Sequence, residues 1–411
     1  MSLPRAASCA ALLCLATLSP LPAAAQQPGK PPPSLFQQVI PKPTGNNGYE
    51  ELVRAAELLK TSKLFQRAEG GGAALTLKRQ VLADRPVVEA LRLLRLGLAK
   101  PVTSPREYVG PATQLAELTS FRSLGRLLSF QQYVFLADGR ISDAIMNARL
   151  GLRLGRAIQT DTMISGLVGV AVNAISITTL GSHLDQLSVR DCALLYQVCL
   201  EWLREPDPAL GALAAERQGM RNTLQELRAG IRARGAGAVN ELLSPDPDDR
   251  DTAMLKDSIS SDPEQAEAAF VQAEKQMDAF LGRVLEEARK PLWQRASLSF
   301  QDDGSLASRF VSVLMPAYEK VGEAYARDQA RIRLLACHAA ILQYRWEHDR
   351  LPPSLDVLNL GQLTIDPFTG QPVQYQVTGV RYRLASVGPR TEADDPKAVS
   401  GRRPVVVTPG D

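Results

Sequence analysis

The chain has 411 residues, of which 45% are hydrophobic and 22% are charged, and its formal net charge is +3. This length and apolar content are enough for two or three domains with hydrophobic cores. Lysine and arginine are spread along the sequence instead of forming runs. The charge pattern therefore argues against a nucleic-acid partner.

The first 25 residues are typical of a Sec signal peptide. Arg5 provides the positive charge, residues 6–18 form a short apolar segment, and residues 23–25 are alanines suited to a cleavage site. The apolar run is shorter than a membrane span and is followed by prolines. The sequence therefore predicts export through Sec, to the periplasm or the extracellular space, with a mature chain that begins at Gln26.

Cleavage at that position leaves three cysteines, Cys192, Cys199 and Cys337, so at most one internal pair can form. Cys192 and Cys199 lie two helical turns apart, about 10 Å, which is too far for a disulfide within one helix. Buried free thiols are the simpler interpretation, because cysteine often behaves as a small apolar residue. Pairing among the three cysteines stays open at this stage.

Residues 26–47 are rich in proline and polar residues, which is typical of an extended linker. Apolar residues then recur at helical spacing from Tyr49, and residues 112–159 are predicted to form a helical hairpin around a turn at 137–140. This hairpin resembles one unit of a tetratricopeptide-type repeat, although no second copy follows at a fixed period. We therefore expect an α-helical domain with repeat-like hairpins over residues 48–304.

Within that domain, residues 162–182 carry no charge and reach the length of a membrane span. The segment also contains Asn173, several serines and threonines and three glycines, and it lacks flanking aromatic or basic anchors. These features favour a buried core helix, which is also apolar on nearly every side. Both interpretations remain open, and we expect contact with a membrane only if this segment inserts.

Residues 305–348 are predicted to form one long helix, kinked at Pro316 because the proline ring clashes with the preceding turn. Ile332, Leu335 and Leu342 form a continuous apolar face on this helix. We expect this face to carry the small module that follows. The long helix and the module together form the predicted domain at 305–390.

In the module, two runs of alternating apolar residues predict an antiparallel hairpin joined around Thr378-Gly379. Threonine is unfavourable at positive φ, so the connecting loop is expected to exceed two residues. A flexible tail is predicted for residues 391–411. The predicted fold class is mainly α, with a helical-hairpin domain followed by a long helix packed on a small antiparallel β-hairpin module.

Three short motifs occur within residues 351–388 in a specific order and spacing. They are carried by Pro352, Ser354 and Leu355, then by Asp366, Pro367, Phe368, Gly370, Pro372 and Tyr375, and finally by Tyr382, Leu384, Ser386 and Gly388. This pattern resembles the C-terminal globular part of the type II secretion major pseudopilin. The resemblance implies a helix packed on a small sheet, and an association with secretion or pilus-like machinery.

The chain departs from the pseudopilin family in two places. No prepilin cleavage site with a long apolar helix precedes the module, so we do not expect assembly as a filament subunit. The family also binds calcium in the loop after the last motif, where this chain has Arg390 in place of a common acidic residue. Asp394 and Asp395 are the remaining oxygen ligands for calcium. A solvated acidic turn is the favoured interpretation, and no other cofactor is expected.

The histidines, cysteines and carboxylates of the chain form no recognisable catalytic motif. His183, His338 and His348 lack neighbours at metal-ligand spacing, so surface or capping roles are expected for them. No pattern of a serine hydrolase, a zinc protease or a phosphate-binding loop occurs. The leading hypothesis is an exported, non-enzymatic scaffold with protein partners in the cell envelope. The alternative is a periplasmic enzyme with scattered carboxylates and histidines, which a deep pocket holding a buried carboxylate would favour.

Overall fold

The computed structural model describes residues 45–105, 116–159, 162–239, 250–261, 263–314, 318–389 and 405–407. These residues are mainly α-helical, with a small antiparallel sheet near the C-terminus, which confirms the predicted fold class. The segment predicted as a signal peptide, most of the predicted linker and the calcium candidates Asp394 and Asp395 lie outside the described residues.

The first part of the fold is a layer of short helices. They are α1 (Tyr49–Thr61), α2 (Lys63–Glu69), α3 (Leu75–Ala83) and α4 (Arg85–Leu98). Helices α1 and α4 pack side by side, and their ends approach through two glycines. A Cβ atom added at Gly48 would lie 2.0 Å from the carbonyl oxygen of Gly97. Any side chain at Gly48 would therefore force this pair of helices apart.

The predicted helical hairpin is confirmed, and a third helix packs against it. These helices are α5 (Ala116–Ala137), α6 (Ile141–Ile158) and α7 (Met163–Thr178). Gly139 forms the turn of the hairpin with φ of 70°. Helices α6 and α7 approach closely at Gly155, where an added Cβ would lie 2.0 Å from Asn173 Oδ1. Helix α7 contains most of the uncharged segment, and it packs on α5 and α6. Among the described residues, no helix is both long and apolar enough to cross a membrane.

The remaining helices are α8 (Val189–Arg204), α9 (Pro208–Arg234), α10 (Arg250–Ser261), α11 (Pro263–Ala288), α12 (Leu306–Leu314) and α13 (Tyr318–His348). A single helix was predicted over 305–348. The structure has two helices there, α12 and α13, on either side of residues 315–317, which are not among the described residues. Helices α9 to α12 share a core in which the rings of Phe270 and Phe310 stack at 4.3 Å. Across their surface, Arg228 and Arg232 both pair with Glu267.

The C-terminal sheet has the order β1-β2-β3 and is antiparallel. Its strands are β1 (Gln374–Thr378), β2 (Arg381–Ser386) and β3 (Val405–Val407). The expectation of a hairpin loop longer than two residues is wrong, because Thr378 pairs with Arg381 and leaves a two-residue loop. Gly379 takes the positive φ of 62° at the first position of that loop, so no threonine has to adopt it. Strand β3 lies in the region that had been assigned to the tail.

One apolar core joins the sheet to the helical body. It contains Leu384 and Val405 from the sheet, Leu335 from α13 and Cys199 from α8. The apolar stripe of α13 therefore carries the sheet, as the sequence pattern indicated. Burial on both sides of α13 makes this helix the structural link between the module and the remaining helices.

Candidate functional site

Two of the motif residues, Phe368 and Ser386, donate hydrogen bonds to the carboxylate of Asp366, which is buried. Its Oδ1 accepts hydrogen bonds from the backbone N–H of Phe368 at 2.9 Å and the hydroxyl of Ser386 at 3.0 Å. Its Oδ2 accepts one from the N–H of Val387 at 2.7 Å. The half-buried guanidinium of Arg333 donates to the carbonyl of Ile365 at 2.6 Å. Asp366 therefore ties the turn that begins at Asp366-Pro367-Phe368, which we call the DPF turn, to the end of β2.

The other motif residues complete this small unit. The hydroxyl of Tyr375 donates to the carbonyl oxygen of Pro352 at 3.0 Å, which joins β1 to the turn after α13. Leu355 and Leu384 are buried in the shared core. Gly388 donates its N–H to the hydroxyl of Ser386 at 3.2 Å. Pro372 and Ser354 lie nearer to solvent, and Pro372 forms an isolated bridge with Ile365.

A second contact fixes the DPF turn from the side of the helical body. Trp293 belongs to a short 3₁₀ turn, Leu292–Gln294, that follows α11. An added Cβ at Gly370 would lie 2.5 Å from Trp293 Nε1. Gly370 also has a positive φ of 70°. The sequence motif requires glycine here for two separate reasons, the backbone conformation and the indole that covers it.

We expect Gly370→Ala to lower the free energy of unfolding more than Gly379→Ala. Both positions have positive φ, so both alanines carry left-handed strain of about 1–2 kcal/mol. No atom lies within 4 Å of an added Cβ at Gly379, whereas at Gly370 the Trp293 side chain has to move. Overpacking adds about 1–3 kcal/mol at Gly370 alone. Chemical denaturation followed by tryptophan fluorescence measures both losses, and equal losses would contradict the indole contact.

His338 departs from the expectation of a surface or capping role, because it is fully buried. The carbonyl oxygen of Leu184 accepts a hydrogen bond from Nε2 at 3.0 Å, so Nε2 carries the proton. Nδ1 then accepts a hydrogen bond from the hydroxyl of Tyr382 at 2.5 Å. Burial lowers the pKa of His338 to about 4, which keeps the ring neutral. The histidine thus links α13 to β2 and to the turn before α8.

A cleft with mainly apolar walls, which we call the junction cavity, lies where the module meets the helices. Its volume is about 510 Å³, which is within the range of small-molecule pockets. Its apolar walls include Met163, Leu213, Val284, Leu292, Val321 and Phe368. These residues come from α7, α9, α11, the turn after α11, α13 and the module. No segment of the sequence contains the cavity by itself, so its existence depends on the tertiary packing.

Several polar side chains line the junction cavity. Arg295 donates from Nε to the carbonyl of Lys290 at 2.8 Å and from Nη2 to the carbonyl of Ala288 at 2.9 Å. Burial lowers the pKa of this guanidinium. Glu287 is held by Lys290 Nζ at 2.6 Å, and this hydrogen bond lowers the pKa of the carboxyl. Glu323 and Tyr325 line the wall formed by α13.

A second cavity of about 580 Å³ lies between α4, α6 and the start of α9. Its lining is charged, with Lys100, Arg153, Arg156, Glu205 and Asp207. Arg156 pairs with Glu205 at 3.2 Å and stacks on the ring of Trp202 at 4.1 Å. Lys100 pairs with Glu51, and Arg153 donates to the carbonyl oxygen of Leu98 at 2.8 Å, so the cations of this surface have partners within the protein.

Asp328 is a fully buried carboxylate that sequence analysis missed. Its Oδ2 accepts a hydrogen bond from Asn173 Nδ2 at 2.6 Å and a longer one from Gln159 Nε2 at 3.5 Å. Its Oδ1 has no hydrogen-bond partner. Burial raises the pKa of Asp328 to about 7. Its position in the sequence could have indicated this burial, because Asp328 lies four residues before Ile332, on the apolar stripe of α13.

The cysteines are free thiols in buried positions, as the simpler interpretation predicted. Burial raises the pKa of Cys192 to about 11 and that of Cys337 to about 12, so neither sulfur is poised as a nucleophile. In the described part of the chain, no group of three or more histidine, cysteine, aspartate or glutamate side chains is arranged to hold a metal ion. The calcium prediction for Asp394 and Asp395 falls outside that part.

No family model matches the chain, and no curated protein or solved structure matches it significantly. The resemblance to the pseudopilin module therefore stays a prediction that rests on the motif residues. The structure adds a physical role for those residues, since Asp366, Ser386 and Gly388 are joined in one hydrogen-bonded unit.

Proposed function

We propose that this chain is an exported, non-enzymatic protein of the cell envelope that acts as a protein-interaction scaffold. We further propose that it works beside type II secretion or pilus-like machinery. The observation that carries the proposal is the bonding of Asp366, whose carboxylate is used entirely to hold the module together. The motif residues thus hold the module in its folded form, and the outer surface of the module is free to bind another protein.

The exposed side of the module supports a role in docking. Strand β1 is an edge of the sheet, and Val380 lies at the tip of the hairpin. Val380 is 79% exposed, the highest value for a large apolar side chain in the described part of the chain. An exposed apolar residue at the tip of a hairpin whose first strand is a sheet edge is suited to contact with another protein, because such an edge can pair with a strand of the partner.

The enzyme alternative requires a deep pocket that holds a buried carboxylate. Asp328 is buried, but it lines neither the junction cavity nor the second cavity, which lies between α4, α6 and α9. The carboxylate of Glu287, which does line the junction cavity, has a low pKa and two partners, Lys290 and the N–H of Ala296. A scaffold therefore agrees better with the geometry than an acid–base enzyme does.

The test is recovery of partners from the native cell envelope. A tagged full-length chain is crosslinked in cells, purified and analysed by mass spectrometry. We expect components of secretion or pilus-like machinery, and we expect Val380→Asp to abolish their recovery. The control is Val88→Asp, because Val88 is also an exposed valine, at 51%, but lies on α4. Recovery of the chain alone would contradict the scaffold, and equal recovery with both variants would contradict the role of the hairpin.

A further inference from the structure

Arg295 is a half-buried cation in the wall of the junction cavity. Two of its nitrogens donate to backbone carbonyls, those of Lys290 and Ala288. Within the described residues, no carboxylate lies at ion-pair distance from Arg295. Asp207 and Glu287 are farther away, and their negative charges raise its pKa. Burial lowers its pKa in spite of these two groups, so the positive charge is incompletely compensated.

The nearby carboxylates are already engaged by other groups. Glu287 binds Lys290 through Oε1 and accepts the N–H of Ala296 through Oε2 at 2.9 Å. Asp207 caps α9 by accepting the N–H of Ala209 at 2.9 Å. These bonds hold both carboxylates away from the guanidinium. Arg295 is therefore the group in this wall that an added anion would stabilise most.

The space in front of Arg295 is open because α13 has a glycine at this point. A Cβ added at Gly322 would lie 3.4 Å from Arg295 Nη1 and 4.0 Å from Leu292 Cδ1. Because Gly322 has only a hydrogen atom at this position, a ligand in the cavity can approach Arg295 Nη1. Apolar side chains, including Val321, Leu292 and Phe368, surround the same space. The site thus combines one charged donor with walls suited to a hydrocarbon or an aromatic ring.

We propose that the junction cavity binds a small apolar molecule that carries one carboxylate. The carboxylate accepts a charge-assisted hydrogen bond from Arg295 Nη1 beside Gly322, and the apolar part lies along Leu292, Val321 and Phe368. A carboxylate suits this guanidinium because the pair forms strong, directional hydrogen bonds. The site is separate from the hairpin tip, so the inference is independent of the proposed protein partner.

The test uses the purified full chain and defined probes. Dodecanoate and 1-naphthoate, both below micellar concentration, are titrated by calorimetry and by tryptophan fluorescence, to which Trp293 in the cavity wall contributes. The neutral probe is 1-dodecanol and the cationic probe is dodecylamine. The variants are Arg295→Gln, which removes the charge, and Gly322→Leu, which fills the cavity from a helix position where leucine is favoured over glycine. Arg289→Gln is the matched control, because Arg289 is exposed in the same segment.

We expect at least one of the two acids to bind with one molecule per chain. Arg295→Gln weakens that binding by about tenfold or more, the usual effect of losing a hydrogen bond to a charged group, and Arg289→Gln leaves it unchanged. Gly322→Leu abolishes binding while circular dichroism shows an intact helical fold. Failure of both acids to bind, or equal binding of dodecanoate and dodecanol, would overturn the proposal. Tighter binding of dodecylamine would also overturn it, because a carboxylate of the cavity wall, and not Arg295, would then be the determinant.

Discussion

Replacing Asp366 with alanine is expected to lower the free energy of unfolding by at least about 3 kcal/mol, because three donors lose a charged acceptor. The N–H groups of Phe368 and Val387 and the hydroxyl of Ser386 all point at this carboxylate. Its loss also leaves the guanidinium of Arg333 with less compensation, since burial already lowers the pKa of that arginine against the opposing effect of Asp366. Urea denaturation followed by circular dichroism measures the change.

A double-mutant cycle with Ser386 separates the bonds from a general disturbance of the module. Ser386→Ala removes one of the three donors, so the combined variant Asp366→Ala/Ser386→Ala is expected to lose less than the sum of the two single losses. The control is Asp356→Ala, an exposed aspartate in the same module, for which a change within about 0.5 kcal/mol is expected. Additive losses in the cycle would contradict the direct bond between Asp366 and Ser386.

Local patterns were sufficient to predict much of this architecture. The hairpin turn was visible because Asp138-Gly139 interrupts two apolar stripes, and Gly139 indeed takes positive φ. The position of the sheet on α13 followed from the stripe that contains Ile332 and Leu335. The hairpin loop was predicted wrongly because Thr378 was placed in the turn. The cross-strand pairing shows that Thr378 is the last paired residue of β1.

The candidate sites were less accessible to prediction, because their residues come together only through tertiary packing. The junction cavity joins Arg295 to Gly322 and Phe368, which are separated in sequence and belong to three different elements. His338 was expected near the surface, since nothing in the sequence shows that Tyr382 and Leu184 supply its two hydrogen-bond partners. The burial of these polar groups depends on which helix faces meet, and local propensity carries no information about that.

Asp328→Asn is expected to flatten the dependence of stability on pH. Burial raises the pKa of Asp328 to about 7 in the folded protein, even though Asn173, Gln159 and the charges of Arg331 and Arg156 all favour its ionised form. An aspartate in an unfolded chain titrates near pH ~4. The folded state therefore binds this proton more tightly, and the stability that it contributes is complete below about pH 4 and is lost as the pH rises toward 7.

The difference between wild type and Asp328→Asn isolates this group from other titrations. His338 has the opposite effect, because its lowered pKa of about 4 removes stability as the pH falls below about 6.5. Between pH 5 and pH 7, the free energy of unfolding of the wild type is expected to fall by about 2–3 kcal/mol relative to that of Asp328→Asn, at about 1.4 kcal/mol per pH unit.

The control is Asp349→Asn, an exposed replacement next to the end of α13, which should follow the wild-type curve. Parallel curves for wild type and Asp328→Asn would mean that folding leaves the proton affinity of Asp328 unchanged. In that case the Asp328 carboxylate would have to be accessible to water in the folded protein.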